Sequence, residues 1–144
     1  MAHATDLEVL VRFNRAMAKE TEGIDLDIDT LQAGVSNVLR CHGNGLYYVA
    51  ELQGEVVAAL MITYEWSDWR NCQLWWIQSV YVHPDHRRKG YFRQLYRYVR
   101  QAAEEARAGG LRLYADTTNE RAHATYEALG MTSHYKVFED MFKI

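Results

Sequence analysis

The sequence predicts a single α/β domain with a mixed sheet, and three features of the chain support this prediction. Its 144 residues are 49% hydrophobic, which suits one domain that buries roughly 68–70% of its unfolded surface. Runs of β-branched and aromatic residues are interspersed with segments of helical periodicity. Residues 73–82 are apolar on both alternating faces, so we expect a central strand with helices covering both sides of the sheet.

The elements follow from local patterns along the chain. Apolar residues recur at helical spacing in residues 6–20 and 30–39, which predicts two opening helices. The runs LYYVAEL and EVVAALMITYEW, joined by QG, predict a hairpin, and QLWWIQSVYV predicts the central strand. A helix follows Gly90 and ends at AGG, LRLYA predicts a strand, ERAHATYEAL predicts a short helix, and SHYKVFEDMF predicts a closing strand.

Composition narrows the function classes. The net charge of −3 argues against a general nucleic-acid binder, because nonspecific DNA affinity comes mainly from a basic surface. The opening segment lacks the apolar stretch of a secretory signal, and no window approaches the ~20 apolar residues of a membrane span. Cys41 and Cys72 do not have the spacing of metal ligands, and the six histidines do not have it either. We therefore expect a soluble, cytoplasmic protein with no metal, no membrane and no nucleic-acid partner.

The stretch VYVHPDHRRKGYF, residues 80–92, leads from the central strand into the next helix. It gathers Arg87, Arg88 and Lys89 immediately before Gly90. The start of a helix presents unpaired backbone N–H groups that suit phosphate oxygens. The chain has no GxxxxGKS/T and no GxGxxG after a strand. Taken alone, the turn is therefore either an anion site or a solvated charge run.

Two segments resemble the GCN5-related N-acetyltransferase (GNAT) superfamily. VYVHPDHRRKGYFRQLY is similar to the acetyl-CoA signature of that family, although Phe92 stands where a second small residue is usual. NERAHATYEALGM is similar to the segment N-x-x-A-x-x-x-Y-x-x-x-G-F, with Met131 in place of Phe; its matching residues are Asn119, Ala122, Tyr126 and Gly130. The resemblance spans roughly residues 45–140. It implies one GNAT domain over residues 1–144, with a mixed, mostly antiparallel sheet of about six strands flanked by about four helices.

The resemblance also implies a reaction, which is transfer of an acetyl group from acetyl-CoA directly to an amine within a ternary complex. Cys41 and Cys72 need not act as nucleophiles, and packing as small hydrophobic side chains is their simpler role. The residues implied to bind the co-substrate are Val80, Tyr81, Val82, Arg87, Arg88, Lys89, Gly90, Tyr91, Phe92, Asn119 and Tyr126.

These residues divide by the part of acetyl-CoA that each would meet. The backbone of Val80 and Val82 would pair with the pantetheine arm, and the cations and amides around Gly90 would hold the pyrophosphate. Asn119 would hydrogen-bond the pantetheine arm as well, or would only cap a helix. Arg93, Arg97 and Arg100 form an arginine stripe on the helix after Gly90. This stripe would meet the 3′-phosphate, or would be solvated surface with an Arg100–Glu104 pair.

Tyr126 is the candidate general acid. The departing CoA thiolate needs a proton, and a phenol with a pKa near ~10 stays protonated at neutral pH. The alternative is a core tyrosine on an amphipathic helix. The general base is less clear, because an amine with a pKa near ~10.4 must lose a proton at a cost of roughly 4–5 kcal/mol at pH 7.

Many relatives carry a glutamate on the central strand for this purpose, but here that neighbourhood reads WWIQ. Gln78 could orient a relay water. Carboxylates that could take the proton are Glu20 and Glu22, which we rank ahead of Glu65 and Asp68.

Charge distribution supports that ranking. Residues 87–100 hold six cations and no acid, whereas residues 20–29 hold five acids and no cation. An acidic acceptor side opposite a basic co-substrate side would attract a cationic amine, although a solvated acidic loop explains the acids equally well. The tryptophans could wall an acceptor pocket, or could belong to the core or to a homodimer contact; they are Trp66, Trp69, Trp75 and Trp76.

Two functions remain in view from the sequence. The first is an N-acetyltransferase that acts on a small primary amine, since the chain is short. The second is a non-catalytic acyl-CoA-binding sensor or interaction module of the same fold, which the missing strand carboxylate and Phe92 favour.

Overall fold

The computed structural model describes residues 1–143 of the chain. Two compact units are present, the first spanning Met1–Arg112 and the second beginning at Leu113. The first unit contains the helices α1 (Leu7–Glu22), α2 (Ile28–Arg40) and α3 (Tyr91–Glu105), and the strands β1 (Leu46–Leu52), β2 (Glu55–Ser67), β3 (Cys72–Val82) and β4 (Leu111–Arg112). The second unit contains α4 (Glu120–Ala128). None of the helices in residues 1–143 has the length and apolar character of a membrane span.

The sheet has the order β1-β2-β3-β4. The first three strands pair antiparallel and β3 pairs parallel with β4, so the predicted mixed sheet is confirmed. The predicted hairpin is also confirmed. Gln53 and Gly54 connect its strands with φ values of 52° and 81°, and two positive values are what a tight hairpin turn requires.

Helices cover both faces of the sheet, as the apolar pattern of β3 predicts. Tyr47 belongs to a core cluster with residues of α1 and α2, whereas the ring of Tyr48 lies 5.7 Å from that of Tyr98 on α3. Neighbouring residues of a strand point to opposite faces. Helices α1 and α2 therefore lie on one side of the sheet, and α3 lies on the other.

Helix boundaries follow from the sequence chemistry. In α1 the buried residues recur at helical spacing and include Leu10, Phe13 and Asn14. The side chain of Asp27 caps α2 by accepting a hydrogen bond from the Thr30 backbone N–H at 2.9 Å. The two opening helices are thus confirmed, with ends that differ from the predicted ones by a few residues.

The strand count is a correction. The part of the chain that the structure describes contains four strands rather than about six. LRLYA contributes only Leu111–Arg112, and residues 133–142 form no strand. In that last segment Phe138 is 90% exposed and Phe142 82% exposed. The prediction was wrong because β-propensity gives a strand only where a neighbouring strand supplies hydrogen bonds and covers its apolar face.

Candidate active site

The turn between β3 and α3 is the centre of the site. After β3 ends at Val82, a short 3₁₀ segment leads into an exposed stretch over residues 87–90. Gly90 precedes α3 with φ 85°, and the first backbone bond of the helix runs from the Gln94 N–H to the Gly90 carbonyl at 3.0 Å. The φ value explains the glycine, because L side chains are strained in this left-handed conformation. A Cβ built there would meet nothing within 4 Å.

The charges at this turn favour an anion. The first turn of α3 has no acidic residue, whereas α1, α2 and α4 each have one there. A helix start carries partial positive charge, which an acidic side chain usually balances. Here exposed Arg88 and Lys89 add further positive charge just before the helix. An anionic group would therefore be stabilised at this turn.

Arg87 is held by the protein rather than left extended in solvent. Its Nε donates to the Val82 carbonyl at 2.9 Å, and its Nη2 lies 2.8 Å from Oε2 of Glu20. The guanidinium carbon also lies 5.3 Å from the centre of the Tyr81 ring, within the range of a cation–π contact. These contacts tie the end of α1 to the turn.

Tyr81 completes this arrangement. Its side chain is buried, and its hydroxyl donates to Oε1 of Glu20 at 3.0 Å. Burial raises the pKa of Tyr81, and the neighbouring Glu20 carboxylate raises it further, so the phenol remains a donor at neutral pH. Glu20, which was predicted on the acceptor side, is thus paired with Arg87, which was predicted on the co-substrate side. The acidic segment 20–29 and the basic segment 87–100 are therefore in contact rather than on opposite sides.

His86 leaves an unsatisfied atom beside the same turn. Within residues 1–143, its buried Nδ1 has no hydrogen-bond partner. The ring packs edge-on against those of His83 and Tyr91, at 5.8 and 6.0 Å. Buried polar atoms are nearly always paired, so an orphan of this kind asks for an explanation. The sequence patterns gave His86 no role.

A β-bulge interrupts β3 near the turn. Ala59 pairs with Tyr81 and Met61 with Gln78, so Ser79 and Val80 together oppose a single residue of β2. Ser79 has φ 53°, which is uncommon for a residue other than glycine. A bulge leaves its extra residue out of the ladder and bends the strand. The backbone at Val80 is therefore where β3 departs from regular pairing.

The predicted proton acceptors differ in their surroundings. Glu65 accepts bonds from Trp76 Nε1 at 2.6 Å and from Arg112 Nη1 at 3.0 Å. The Trp76 bond, with a smaller contribution from Arg112, holds the pKa of Glu65 below its ordinary value, which makes it a weak base. Glu22 and Asp68 are exposed. Gln78 donates to Thr63 Oγ1 at 2.6 Å.

The second motif lies on the second unit. Asn119 accepts from the Ala122 backbone N–H at 3.1 Å and so caps α4. Tyr126 lies within α4, and burial raises the pKa of its phenol. On α3, Arg100 pairs with Glu104 at 2.6 Å, which matches the surface alternative for the arginine stripe.

Known proteins show the family of this chain. The model of the Acetyltransferase (GNAT) family matches residues 11–131. The chain belongs to the acetyltransferase (GNAT) family. Members of this family use acetyl-CoA, so the acetyl donor expected from the two motifs is confirmed at the level of the family. No curated protein sequence matches the chain.

Solved structures share the fold of this GNAT protein. A possible acetyltransferase from Clostridium difficile 630 is 43% identical, with a TM-score of 0.92 over 99% of this chain and 95% of that one. A predicted acetyltransferase with acetyl-CoA from Clostridium acetobutylicum is 18% identical, with a TM-score of 0.79 over 97% and 92%. A ribosomal-protein-alanine N-acetyltransferase from Brucella melitensis is also 18% identical, with a TM-score of 0.79 over 99% and 96%. At 18% identity these two likenesses concern the fold alone.

Sequence reasoning missed several polar contacts of this GNAT protein. The link of Arg87 and Tyr81 to Glu20 joins residues more than sixty positions apart, and no local pattern reveals it. Asn14 was detectable, because a polar residue falls among the apolar positions of α1. The tryptophans divide: Trp75 is buried, while Trp66 is 58% and Trp69 89% exposed. Cys41 is exposed and does not pack in the core.

Proposed function

We propose that this protein transfers the acetyl group of acetyl-CoA directly to a small primary amine within a ternary complex. The observation that supports this most strongly is the β3–α3 turn, where left-handed Gly90 opens a helix that has cations and no acid at its start. Such a turn is shaped for the diphosphate of acetyl-CoA. Residues 1–144 act as one acetyltransferase domain in this scheme, supported by the order of the two motifs.

The transfer forms one bond and breaks another. The lone pair of the neutral amine attacks the thioester carbonyl carbon, a C–N bond forms, and the C–S bond breaks with its electron pair passing to sulfur. The amine nitrogen loses one proton and the thiolate gains one. The products are an N-substituted acetamide and free CoA thiol, and no redox change occurs.

On the co-substrate side, the cations of the turn and the backbone N–H groups of Gly90 and Tyr91 hold the diphosphate. Val80 presents its backbone to the pantetheine arm, and its place in the β3 bulge supports this role because the bulge frees the strand from regular pairing. Asn119 already caps α4 through Oδ1, so a bond to the arm would use its amide hydrogens. Tyr126 protonates the thiolate, and its raised pKa keeps it in the acid form.

On the acceptor side, a carboxylate must take the proton from the ammonium form of the amine. Glu20 already accepts hydrogen bonds from Arg87 and Tyr81. Glu65 accepts hydrogen bonds from Trp76 and Arg112. Glu22 is exposed at the end of α1. We therefore place Glu22 ahead of Glu20 as the proton acceptor, with Gln78 orienting a relay water.

The hydrogen-bonded state of Glu20 and Glu65 also favours a second candidate function, binding of acyl-CoA without catalysis. With no acidic side chain on β3, and with Glu20 and Glu65 both bonded to cations, the protein would bind acyl-CoA as a sensor without turnover. Acetyl-CoA binding is common to both functions, so binding alone does not separate them.

Release of CoA thiol separates the two functions. Purified protein is mixed with acetyl-CoA and a panel of primary amines, and free thiol is followed with a thiol-reactive dye against a blank without amine. The transferase predicts amine-dependent release together with an acetylated product detected by mass. The sensor predicts saturable acetyl-CoA binding with release no faster than the blank.

A further inference from the structure

A cavity of about 390 Å³ lies within the first unit. Its size falls at the lower end of the roughly 300–1,000 Å³ found for small-molecule sites. The α2 face of the cavity carries Leu31, Gly34, Val35 and Val38, and the sheet contributes Tyr47 and Met61. None of the four tryptophans lines it. The walls are therefore mainly aliphatic rather than aromatic.

The two buried polar side chains of the wall satisfy each other. Asn14 Nδ2 donates to the Leu10 carbonyl at 2.9 Å and to the Tyr47 hydroxyl at 3.3 Å. Leaving a buried polar group without a hydrogen-bond partner costs free energy. A ligand that breaks the hydrogen bond of such a group therefore binds poorly. Because this pair is already bonded, an apolar group can enter the cavity without leaving either side chain unpaired.

Asp27 is the only acidic residue that lines the cavity within the described chain. Its carboxylate accepts from the Thr30 hydroxyl at 2.7 Å and from the Thr30 backbone N–H at 2.9 Å. Those two bonds lower the pKa of Asp27, so it is anionic at neutral pH. One carboxylate can meet one ammonium group, whereas further ammonium groups would be desolvated against aliphatic walls.

Ser79 connects the cavity to the place where chemistry is proposed. It lines the cavity and is one of the two residues in the β3 bulge. Val80, the other bulge residue, presents the backbone that the proposed function assigns to the pantetheine arm. Gln78 stands opposite Met61, another wall residue. A molecule in the cavity would therefore have one end beside the proposed thioester.

We propose that this cavity selects the acceptor: it binds the alkyl or aryl group of a primary monoamine, whose amino group faces the Ser79 bulge and whose cationic form is attracted by Asp27. This inference rests on the proposed function and narrows it. Polyamines and aminoglycosides are excluded as preferred acceptors, because each would bring additional charge against the aliphatic walls.

The first test is a chain-length series. The apparent kcat/KM for CoA thiol release is measured with straight-chain alkylamines from ethylamine upward, with phenylethylamine, and with spermidine and an aminoglycoside for comparison. Each methylene buried in the cavity adds about 0.8 kcal/mol, so kcat/KM should rise about fourfold per methylene until the cavity is full. Spermidine and the aminoglycoside should fall below the best monoamine by more than tenfold.

Gly34 offers a variant that adds bulk to the cavity wall with no clash at Cβ. It sits three residues after Leu31 and four before Val38, hence on the same helix face, and a Cβ there would meet nothing within 4 Å. Gly34→Phe should lower kcat/KM for the longest amine at least tenfold while leaving the Kd of acetyl-CoA unchanged. Ala33→Phe, which adds a phenyl ring at an exposed neighbour outside the cavity, should leave both constants unchanged.

Asp27→Asn tests the charge, since asparagine keeps the α2 cap. In this variant the KM for the amine should rise, while kcat and the Kd of acetyl-CoA should stay unchanged. Values of kcat/KM that stay flat along the series, a preference for spermidine, or equal effects of Gly34→Phe and Ala33→Phe would overturn the inference.

A protein that does not transfer acetyl groups would give a result distinct from a wrong cavity assignment. If no amine releases thiol, binding of the alkylamines in the presence of CoA is measured by calorimetry. Affinity that rises with chain length and is lost in Gly34→Phe would support the cavity as an amine site in a protein without turnover. Absence of chain-length dependence would overturn it.

Discussion

Two left-handed residues shape the β3–α3 turn. Gly90 has φ 85° and Arg88 has φ 64°. The resemblance implied that the amides around Gly90 hold the pyrophosphate, and the structure adds a conformational reason for the glycine itself. The strain at Arg88 was not predictable, because arginine rarely adopts this conformation and nothing local announces it.

Replacing Arg88 with glycine separates strain from binding. Relief of the left-handed conformation, about 1–2 kcal/mol, exceeds the entropic cost of glycine, about 0.5–1 kcal/mol, so Arg88→Gly should raise the free energy of unfolding by roughly 0.5–1 kcal/mol. Acetyl-CoA affinity should fall roughly tenfold, because a charged hydrogen bond is lost.

Arg107 supplies the matched control for that experiment. It is exposed beyond the end of α3 with φ 59°. Arg107→Gly should give the same stabilisation in urea unfolding with no change in affinity. An equal loss of affinity in both variants would mean that Arg88 contributes only general positive charge.

Tyr126 carries the acid role in the proposed reaction. Tyr126→Phe removes only the hydroxyl, so kcat should fall by roughly 10²–10⁴-fold, the usual contribution of a general acid, while the Kd of acetyl-CoA stays the same. Tyr98→Phe, at an exposed position on α3, should change neither. An unaltered kcat in a folded Tyr126→Phe protein would assign proton donation to another group.

Long-range links join the elements around the site. Glu20 at the end of α1 pairs with Arg87 in the β3–α3 turn. Glu65 on β2 accepts hydrogen bonds from Trp76 on β3 and Arg112 on β4. A local pattern predicts where a helix or strand runs, but not which side chains meet after folding. This is why the ranking of Glu20 as a base came from charge distribution alone.

Glu20→Gln tests whether the link competes with the co-substrate. If Arg87 is shared between Glu20 and the diphosphate, removing the carboxylate charge should strengthen acetyl-CoA binding severalfold and leave kcat nearly unchanged. The loss of a half-exposed ion pair should cost only about 0.2–1 kcal/mol of stability. Glu104→Gln, which breaks the exposed pair with Arg100, is the control and should not change affinity. A fall in kcat at constant affinity would instead make Glu20 the base.

Glu65 makes the stability of the sheet depend on pH. Its pKa is lowered in the folded state from an ordinary value of 4.5, so its stabilisation is present above that value and is lost as pH falls through the lower folded pKa. The difference in unfolding free energy between wild type and Glu65→Gln should therefore be constant near pH 7 and shrink below about pH 4.5.

Trp76→Phe refines the experiment, because it removes the indole donor that contributes most to the lowered pKa. Urea unfolding of this variant from pH 7 to pH 3 should show a weaker pH dependence than wild type. A difference between wild type and Glu65→Gln that stays constant over the whole range would show that these bonds do not stabilise the carboxylate form.

For the whole chain, sequence patterns predicted the first unit better than the second. The hairpin, the central strand and α1 to α3 each have a local signature, and the resemblance led to the correct family. The predicted strand at residues 133–142 had β-propensity but no neighbour to pair with. The cavity between α1, α2 and the sheet could not be predicted, because its walls come from segments far apart in the chain.

Acetyl-CoA binding at the β3–α3 turn underlies the whole proposed function, and glycine substitutions test this binding directly. Gly90 and Gly54 both have positive φ, and at each a Cβ would meet nothing within 4 Å. Valine at either position imposes similar backbone strain, but only Gly90→Val places bulk where the diphosphate is proposed to bind.

Titration calorimetry of acetyl-CoA with wild type and both valine variants is therefore the decisive measurement. Gly90→Val should weaken binding at least tenfold, while Gly54→Val, in the β1–β2 hairpin, should bind as wild type does. Equal affinities in folded Gly90→Val and Gly54→Val would contradict binding at this turn and place the diphosphate elsewhere.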